Sequence, residues 1–263
     1  MREKVTALQS QLRAHAPLVV AYSGGVDSAY LLAAAHETLG KNLLGVIADS
    51  PSLPRQSLRD ALALAEKIGA VVEVIETGEM QDQRYVSNPL NRCYFCKAEL
   101  FSQLDQLARR RGFRAVAYGE NADDATQFRP GRQAAGEFAV LAPLKDAALT
   151  KAEIRALSRE LGLPTADAPA QPCLSSRIPH GTPVTPTALA MIERGEECVR
   201  GLGFKIFRVR HLVRDGAAKA RVQIAPGEMS RLPAVSGSLV AGLREAGYLE
   251  VEIDPAGYRG PSL

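Results

Sequence analysis

Apolar positions along the chain fall into short runs that alternate with stretches of helical spacing. "LVVAY" (18–22) is an apolar run that ends at two glycines, and "VDSAYLLAAAHETLG" after it has helical spacing and closes on Gly40. "LLGVIA" (43–48) reads as a strand, "PRQSLRDALALAEKIG" as a helix from Pro54 to Gly69, and "AVVEVIE" (70–76) as a third strand. "KAELFSQLDQLARRRG" and "RAVAYG" (114–119) repeat the alternation. Strand and helix in regular succession predict an α/β fold, a doubly wound and mostly parallel sheet. Such sheets bind ligands at the carboxyl ends of their strands.

Two long connections interrupt the pattern. Residues 77–92 lead into "CYFC", and 120–138 carry "ENADDATQFRPGRQAAGE". Connections of this length in a compact domain are often functional. "LTKAEIRALSRELGLP" then predicts a helix with Thr150 as N-cap and Glu153 at the capping-box position. Beyond about 184 the order changes to helix, two strands around "RDGA", helix and a last strand, "YLEVEI". Asp215-Gly216 is a hairpin signal. The expected organisation is a nucleotide domain over 1–165, a cysteine-bearing linker over 166–183 and a smaller α+β domain over 184–263.

Bulk properties narrow the class. At 263 residues, with 46% hydrophobic and 23% charged residues, the chain is long enough for a sizeable core and ordinary for a soluble protein. A net charge of +3 does not favour a nucleic-acid partner. There is no apolar run long enough to span a membrane. "MREKVTALQSQLRAH" reads as an amphipathic helix without the apolar core of a secretory signal, so a cytoplasmic location is expected. Four cysteines in a reducing compartment point to ligands or reactive thiols rather than disulfides.

The sharpest motif is "YSGGVDSAYLL". A strand ends, Gly24 and Gly25 let the backbone turn, and the N–H groups of a new helix suit an anion. Ser23 and Ser28 add hydroxyl donors, and Asp27 could hold a magnesium ion beside phosphates. Neither the Walker A pattern nor the dinucleotide fingerprint is present. Ser23-Gly24-Gly25-Val26-Asp27-Ser28 resembles the pyrophosphate loop of the N-type ATP pyrophosphatases, which transfer AMP from ATP to a carboxylate or carbonyl oxygen. That resemblance implies that adenine and ribose lie across "IADSPSLPR", near Ala48, and "YGENADD", near Gly119 and Asn121. Glu120 stands where several members carry Thr.

The cysteines leave more than one reading. Cys93 and Cys96 form a C-x-x-C just before a helix, as a redox pair would. Zinc would need His180 or Cys198 to complete its ligands. Iron–sulfur clusters are normally held by four cysteines; three leave one iron with an open site. Cys173, in "AQPCLSSRIPHG", is the candidate third ligand. Packing alone would also account for a lone thiol. Cys198 reads as structural.

"SGGVDS" near the start, "PCLSSRIPHGTPVT" after the ATP domain and "FRVRHL" with "ARVQI" near the end together resemble the LarE family over nearly the full length. These are ATP-dependent sulfur transferases of nickel-pincer nucleotide synthesis. The resemblance implies a nucleotide substrate, pyridinium-3,5-biscarboxylic acid mononucleotide, whose carboxylates are adenylylated and converted to thiocarboxylates. It implies ATP and Mg2+, with Asp27, Cys173 and Arg177 at the chemistry. Arg177, Glu197, Arg208 and Arg210 would contact the substrate. Arg208 and Arg210 alternate along one strand and so share a face; exposed positions on a charged edge strand would look the same. Gln223 stands where relatives often have Glu. In some members the single cysteine gives up its own sulfur. In others three cysteines hold a [4Fe–4S] cluster carrying an extra sulfide, and Cys93, Cys96 and Cys173 match that type. Some members form oligomers, so a homo-oligomer is expected. A tRNA thiolase, an ammonia-using ligase and a nucleotide-sensing regulator remain alternatives at this level.

Overall fold

A computed structural model describes residues 1–126, 130–169 and 171–258. Part of the connection 120–138 and Ala170 of the cysteine loop therefore lie outside the described residues. The chain divides into two compact units, one of Met1–Tyr85 with Leu90–Gln171, the other of Val86–Pro89 with Pro172–Leu263. The loop expected to link the domains is thus divided between them after Gln171.

The first unit runs α1 (Arg2–Ala14), β1 (Leu18–Ala21), α2 (Val26–Leu39), β2 (Leu43–Asp49), α3 (Arg55–Ile68) and β3 (Val72–Glu76). The short α4 (Gln83–Val86) leads to α5 (Arg92–Arg111), β4 (Ala115–Tyr118), α6 (Gly131–Glu137), α7 (Pro143–Asp146) and α8 (Lys151–Glu160). Its sheet has the order β3-β2-β1-β4 with every pairing parallel. Successive side chains of a strand point to opposite faces, and both faces here are covered. Leu18, Val20 and Ile47 pack with Leu8 of α1, Leu31 of α2, Leu64 of α3 and Ile154 of α8. Val19, Ala21, Leu44 and Val46 pack with Phe101 and Leu104 of α5 and Ala134 of α6. Central strands buried on both sides are why "LVVA" and "LLGVIA" read as unbroken apolar runs rather than alternating ones.

The second unit contains α9 (Pro186–Gly201), β5 (Phe207–Arg214), β6 (Ala217–Ile224), α10 (Leu232–Glu245) and β7 (Glu250–Ile253). β6 lies between antiparallel β5 and parallel β7. Asp215 and Gly216 both have positive φ, 50° and 77°, the requirement of a type I′ hairpin. Phe207 and Val209 enter the core with Val199 of α9 and Leu239 of α10. Arg208 and Arg210 consequently share the other face of β5. The segment Val86–Pro89 is stitched in by backbone bonds: the Val184 N–H donates to the Val86 carbonyl at 2.8 Å and the Gly181 N–H to the Asn88 carbonyl at 3.0 Å. Among the described residues no helix is long and apolar enough to cross a membrane.

Thr150 caps α8 in the capping box its sequence predicts. Glu153 accepts from Lys4 Nζ at 2.8 Å and from the Thr150 N–H at 2.9 Å, tying α1 to the start of α8. These donors, Lys4 foremost, hold its carboxyl at about 2 against an ordinary 4.5. A depressed carboxylate stabilises the fold above its unfolded value, and that contribution is lost as pH falls through the folded one. Glu153→Gln should therefore lower the thermal unfolding midpoint at neutral pH. The deficit against the parent should shrink below about pH 4.5 and vanish near about pH 2, read from melts across that range. Thr150→Ala should cost about 1 kcal/mol.

Candidate active site

Two constellations stand out, one in each unit. In the first, β1 ends at Ala21 and the chain turns through Ser23, Gly24 and Gly25 into α2. Gly24 has φ +74°, and a Cβ there would lie 2.7 Å from Ala61 Cβ, so only glycine fits. Gly25 sits at the N-cap in extended conformation and no side chain caps the helix. The Ser23 N–H donates to Ser28 Oγ at 3.2 Å, the two hydroxyls are 3.0 Å apart, and Ser28 Oγ donates to the Gly25 carbonyl. The loop is thereby folded onto its own helix, with the helix N-terminus open to an anion.

Beside it, at the end of β4, a Cβ on Gly119 would lie 2.8 Å from the Ser28 nitrogen. This close approach sets the turn after β4 directly against the phosphate loop. Buried Asn121 holds that turn by accepting from the N–H groups of Asp123 and Asp124 at 2.9 and 3.2 Å. Ala48 lies at the same carboxyl end of the sheet, in β2 opposite Ile75. Next to it Arg55 reaches back to Asp49 at 2.6 Å. Buried Glu120 meets Arg132 at 2.6 Å and accepts from the Tyr118 hydroxyl, so it ties α6 to the sheet.

Asp27, in the first turn of α2, pairs through Oδ2 with Lys151 Nζ at 2.6 Å. Its Oδ1 is buried without a hydrogen-bond partner, as suits an oxygen that receives a cation. The Lys151 N–H donates to Asp123 at 2.8 Å. Lys151 was not singled out from the sequence. A signal existed: it is the first residue of α8, where the helix dipole disfavours a cation. Its ammonium is met there by the Asp27 carboxylate. The glycine cradle, the open helix N-terminus and the orphan oxygen of Asp27 fit a magnesium–nucleotide complex.

Cys93 and Cys96 occupy the first turn of α5, three residues apart on one side of the helix, the former exposed and the latter half-buried. α6 packs over this turn. A Cβ on Gly131 would lie 2.9 Å from Lys97 Cγ, and the Tyr94 hydroxyl donates to Glu137 at 2.7 Å. Two thiols on one helical turn suit two ligands of a single metal group. Among the described residues no three or more His, Cys, Asp or Glu side chains are grouped to hold a metal ion.

In the second unit Cys173 precedes a single helical turn, Leu174–Arg177, with its side chain partly exposed. Arg177, 3% exposed, faces inward. It donates to both oxygens of Glu196 at 2.8 and 2.9 Å, to the Pro172 and Cys173 carbonyls at 2.5 and 3.0 Å, and to Ser176 Oγ at 3.0 Å. Expected to orient the substrate, this guanidinium is occupied in fixing the cysteine loop. The acidic residue that meets it is Glu196; Glu197, expected to contact the substrate, lies on the exposed side of α9. One residue along a helix rotates the side chain by about 100°, and only Glu196 falls on the core side.

Arg210 donates to the Ser176 carbonyl and to Gln223, both at 2.9 Å, and Gln223 donates to Asp254 at 2.8 Å. Arg208 stacks over Tyr258 at 4.7 Å. Burial first, then the Arg177 charge, makes both guanidiniums less basic than usual. Three arginines gather here around Glu196 and Asp254, an arrangement suited to an anionic ligand.

Residues 2–122 match the NAD synthase family. The chain is 30% identical to the pyridinium-3,5-bisthiocarboxylic acid mononucleotide synthase of Lactiplantibacillus plantarum, over 97% of this chain and 92% of that protein. The chain belongs to the LarE family. It is an ATP-using sulfurtransferase. Uncharacterised relatives include a Synechocystis sp. protein, 42% identical over 93% of this chain and 91% of its own, and a Methanocaldococcus jannaschii protein, 30% identical over 73% of each.

A LarE member must hold ATP phosphates, and Lys151 pairs with Asp27 in the first turn of α2. Lys151→Met should weaken ATP binding roughly ten- to a hundredfold, hydrogen bonds to charged groups contributing about 1.5–3 kcal/mol. Calorimetric titration with the nucleotide, before any sulfur chemistry, reads this directly.

Proposed function

We propose that this enzyme adenylylates the carboxylates of pyridinium-3,5-biscarboxylic acid mononucleotide and exchanges the activated oxygen for sulfur, yielding the thiocarboxylates of a nickel-pincer nucleotide. The observation that carries the reading is a cysteine loop pinned from beneath by Arg177, on a chain whose other unit holds an ATP cradle. In this reading it works in the cytoplasm as a homo-oligomer, on a small molecule and without nucleic acid.

ATP lies with its phosphates against Ser23, Gly24, Gly25 and Ser28, and its nucleoside across the strand ends near Ala48, Gly119 and Asn121. Asp27 would hold Mg2+, which neutralises phosphate charge when bound. Lys151, paired with Asp27 at the start of α2, would supply positive charge to the departing pyrophosphate. A substrate carboxylate oxygen attacks the α-phosphorus, the bond to the bridging oxygen of the β-phosphate breaks, and pyrophosphate leaves. The acyl-adenylate now carries AMP as its leaving group. A sulfur nucleophile adds to the carbonyl carbon, the carbon–oxygen bond to AMP breaks, and a thiocarboxylate remains. A second round treats the other carboxylate.

Arg208 and Arg210 grip the phosphate of the mononucleotide substrate. Arg177 and Glu196 position the backbone of Cys173. Cys93, Cys96 and Cys173 would hold a [4Fe–4S] cluster, which when bound supplies an open iron and its sulfide as the sulfur source. The other source within the family is Cys173 itself, which would lose its sulfur and become dehydroalanine.

Oxygen-free reconstitution with iron and sulfide separates the two. The expected result is about four irons per chain, lost in Cys93→Ala, Cys96→Ala and Cys173→Ala, with the intact mass unchanged after several turnovers. No iron, a single turnover and a chain lighter by one hydrogen sulfide at residue 173 would replace the cluster with a sacrificial cysteine. Arg208→Gln and Arg210→Gln should each raise KM for the mononucleotide roughly tenfold while leaving ATP affinity unchanged.

A further inference from the structure

In the second unit β7 runs on into a turn, Asp254–Tyr258, whose shape is fixed along its length. The Asp254 N–H donates to the Val222 carbonyl and the Tyr258 N–H to the Ile224 carbonyl, both at 2.9 Å, so the turn is laid against the end of β6. The Gly257 N–H donates to the Asp254 carbonyl at 3.0 Å, and the Ala256 N–H to the Asp254 carboxylate at 3.0 Å. Gly257 has φ +67°, and a Cβ there would lie 2.6 Å from the Ile224 carbonyl oxygen, so only glycine lets the chain pass. The residue that this geometry delivers is Tyr258, 8% exposed.

Both ends of the turn reach the arginines of β5. At one end Asp254 accepts from Gln223, which itself accepts from Arg210. At the other the Tyr258 ring lies 4.7 Å from the guanidinium carbon of Arg208. Arg208 and Gln223 are register partners across β5 and β6. Two arginines, an amide, a carboxylate and a ring therefore form one circuit, closed by the turn. Two guanidiniums side by side repel each other, and long side chains lose rotamer freedom when held in one place. The ring offsets both costs for Arg208. A guanidinium over an aromatic face is attracted by its quadrupole, more strongly away from water. Stacking also fixes the plane of the group without using an N–H donor, whereas a carboxylate there would take two donors and cancel the charge.

We propose that Tyr258 is a positioning residue for the phosphate of the mononucleotide substrate. It holds Arg208 flat and charged beside Arg210, so that the anion meets two guanidiniums already in place. The proposal rests on the phosphate grip of Arg208 and Arg210 stated above. Tyr258 acts through Arg208, and preorganisation of this kind changes affinity for the ligand.

Three variants of the full-length chain test it. Tyr258→Leu removes the ring, Tyr258→Phe keeps its face without the hydroxyl, and Gly257→Ala displaces it unaltered. Pyrophosphate release is followed with the mononucleotide varied at saturating ATP, then with ATP varied, so sulfur delivery does not enter, and thermal unfolding is read alongside. Tyr258→Leu and Gly257→Ala should raise KM for the mononucleotide roughly three- to tenfold with kcat and KM for ATP unchanged, and Tyr258→Phe should stay within about twofold of native. In an Arg208→Gln background Tyr258→Leu should add nothing further. A native KM in Tyr258→Leu would overturn the proposal, as would a Tyr258→Phe that loses as much as Tyr258→Leu. An effect of Tyr258→Leu that persists without Arg208 would overturn it too, and so would a parallel decline of kcat, ATP use and unfolding midpoint, the mark of a ring that only supports the fold. If Arg208→Gln alone leaves KM for the mononucleotide at the native value, the phosphate grip itself is wrong and the proposal falls with it.

Discussion

A guanidinium at 3% exposure must have a counter-charge, and Arg177 finds both oxygens of Glu196. Such a pair adds little net stability, because desolvating two charges offsets most of their attraction, but losing one partner costs about 3–5 kcal/mol. What it contributes is a single geometry. The remaining donors of Arg177 take the backbone around Cys173, and Glu196 also accepts the Val209 N–H at 3.2 Å. The cysteine loop, α9 and β5 are therefore one assembly. The contact is to the Cys173 backbone carbonyl, and the thiol itself stays partly exposed.

The nucleotide unit relies on crowding instead. Gly24 against Ala61 and Gly119 against Ser28 leave no room for a Cβ, so backbone amides rather than side chains face the ligand. Charge is then supplied from a distance in sequence. Lys151 begins a helix whose dipole opposes it, and it is held there by Asp27 and Asp123. The pair places one positive charge at the first turn of α2, beside the loop that turns through Ser23, Gly24 and Gly25.

The sheet was legible because its central strands are buried on both faces and its helices carry their own caps and stops. The phosphate loop was legible because its residues are contiguous. The second constellation was harder to read, since its meaning depends on which way side chains turn. Glu196 and Glu197 are indistinguishable as letters; helical rotation gives one to the core and the other to solvent. The partners of Arg177, Glu196 and the backbone of the cysteine loop, are visible only in the fold. Asn88 is an ordinary loop residue in sequence, and only the fold shows its insertion into the second unit. Lys151 was hidden by its neighbour, because Thr150 already explained the start of α8.

Gln223 shows what one atom decides. Its oxygen accepts from Arg210 and its nitrogen donates to Asp254. A carboxylate in its place could accept from Arg210 but could give nothing to Asp254, and two like charges would face each other across a hydrogen-bond distance. It would also neutralise Arg210. The amide relays the contact without adding charge, so Arg177, Arg208 and Arg210 outnumber Glu196 and Asp254 on this side of the unit. An excess of guanidinium over carboxylate, partly removed from water, favours a ligand that brings its own negative charge.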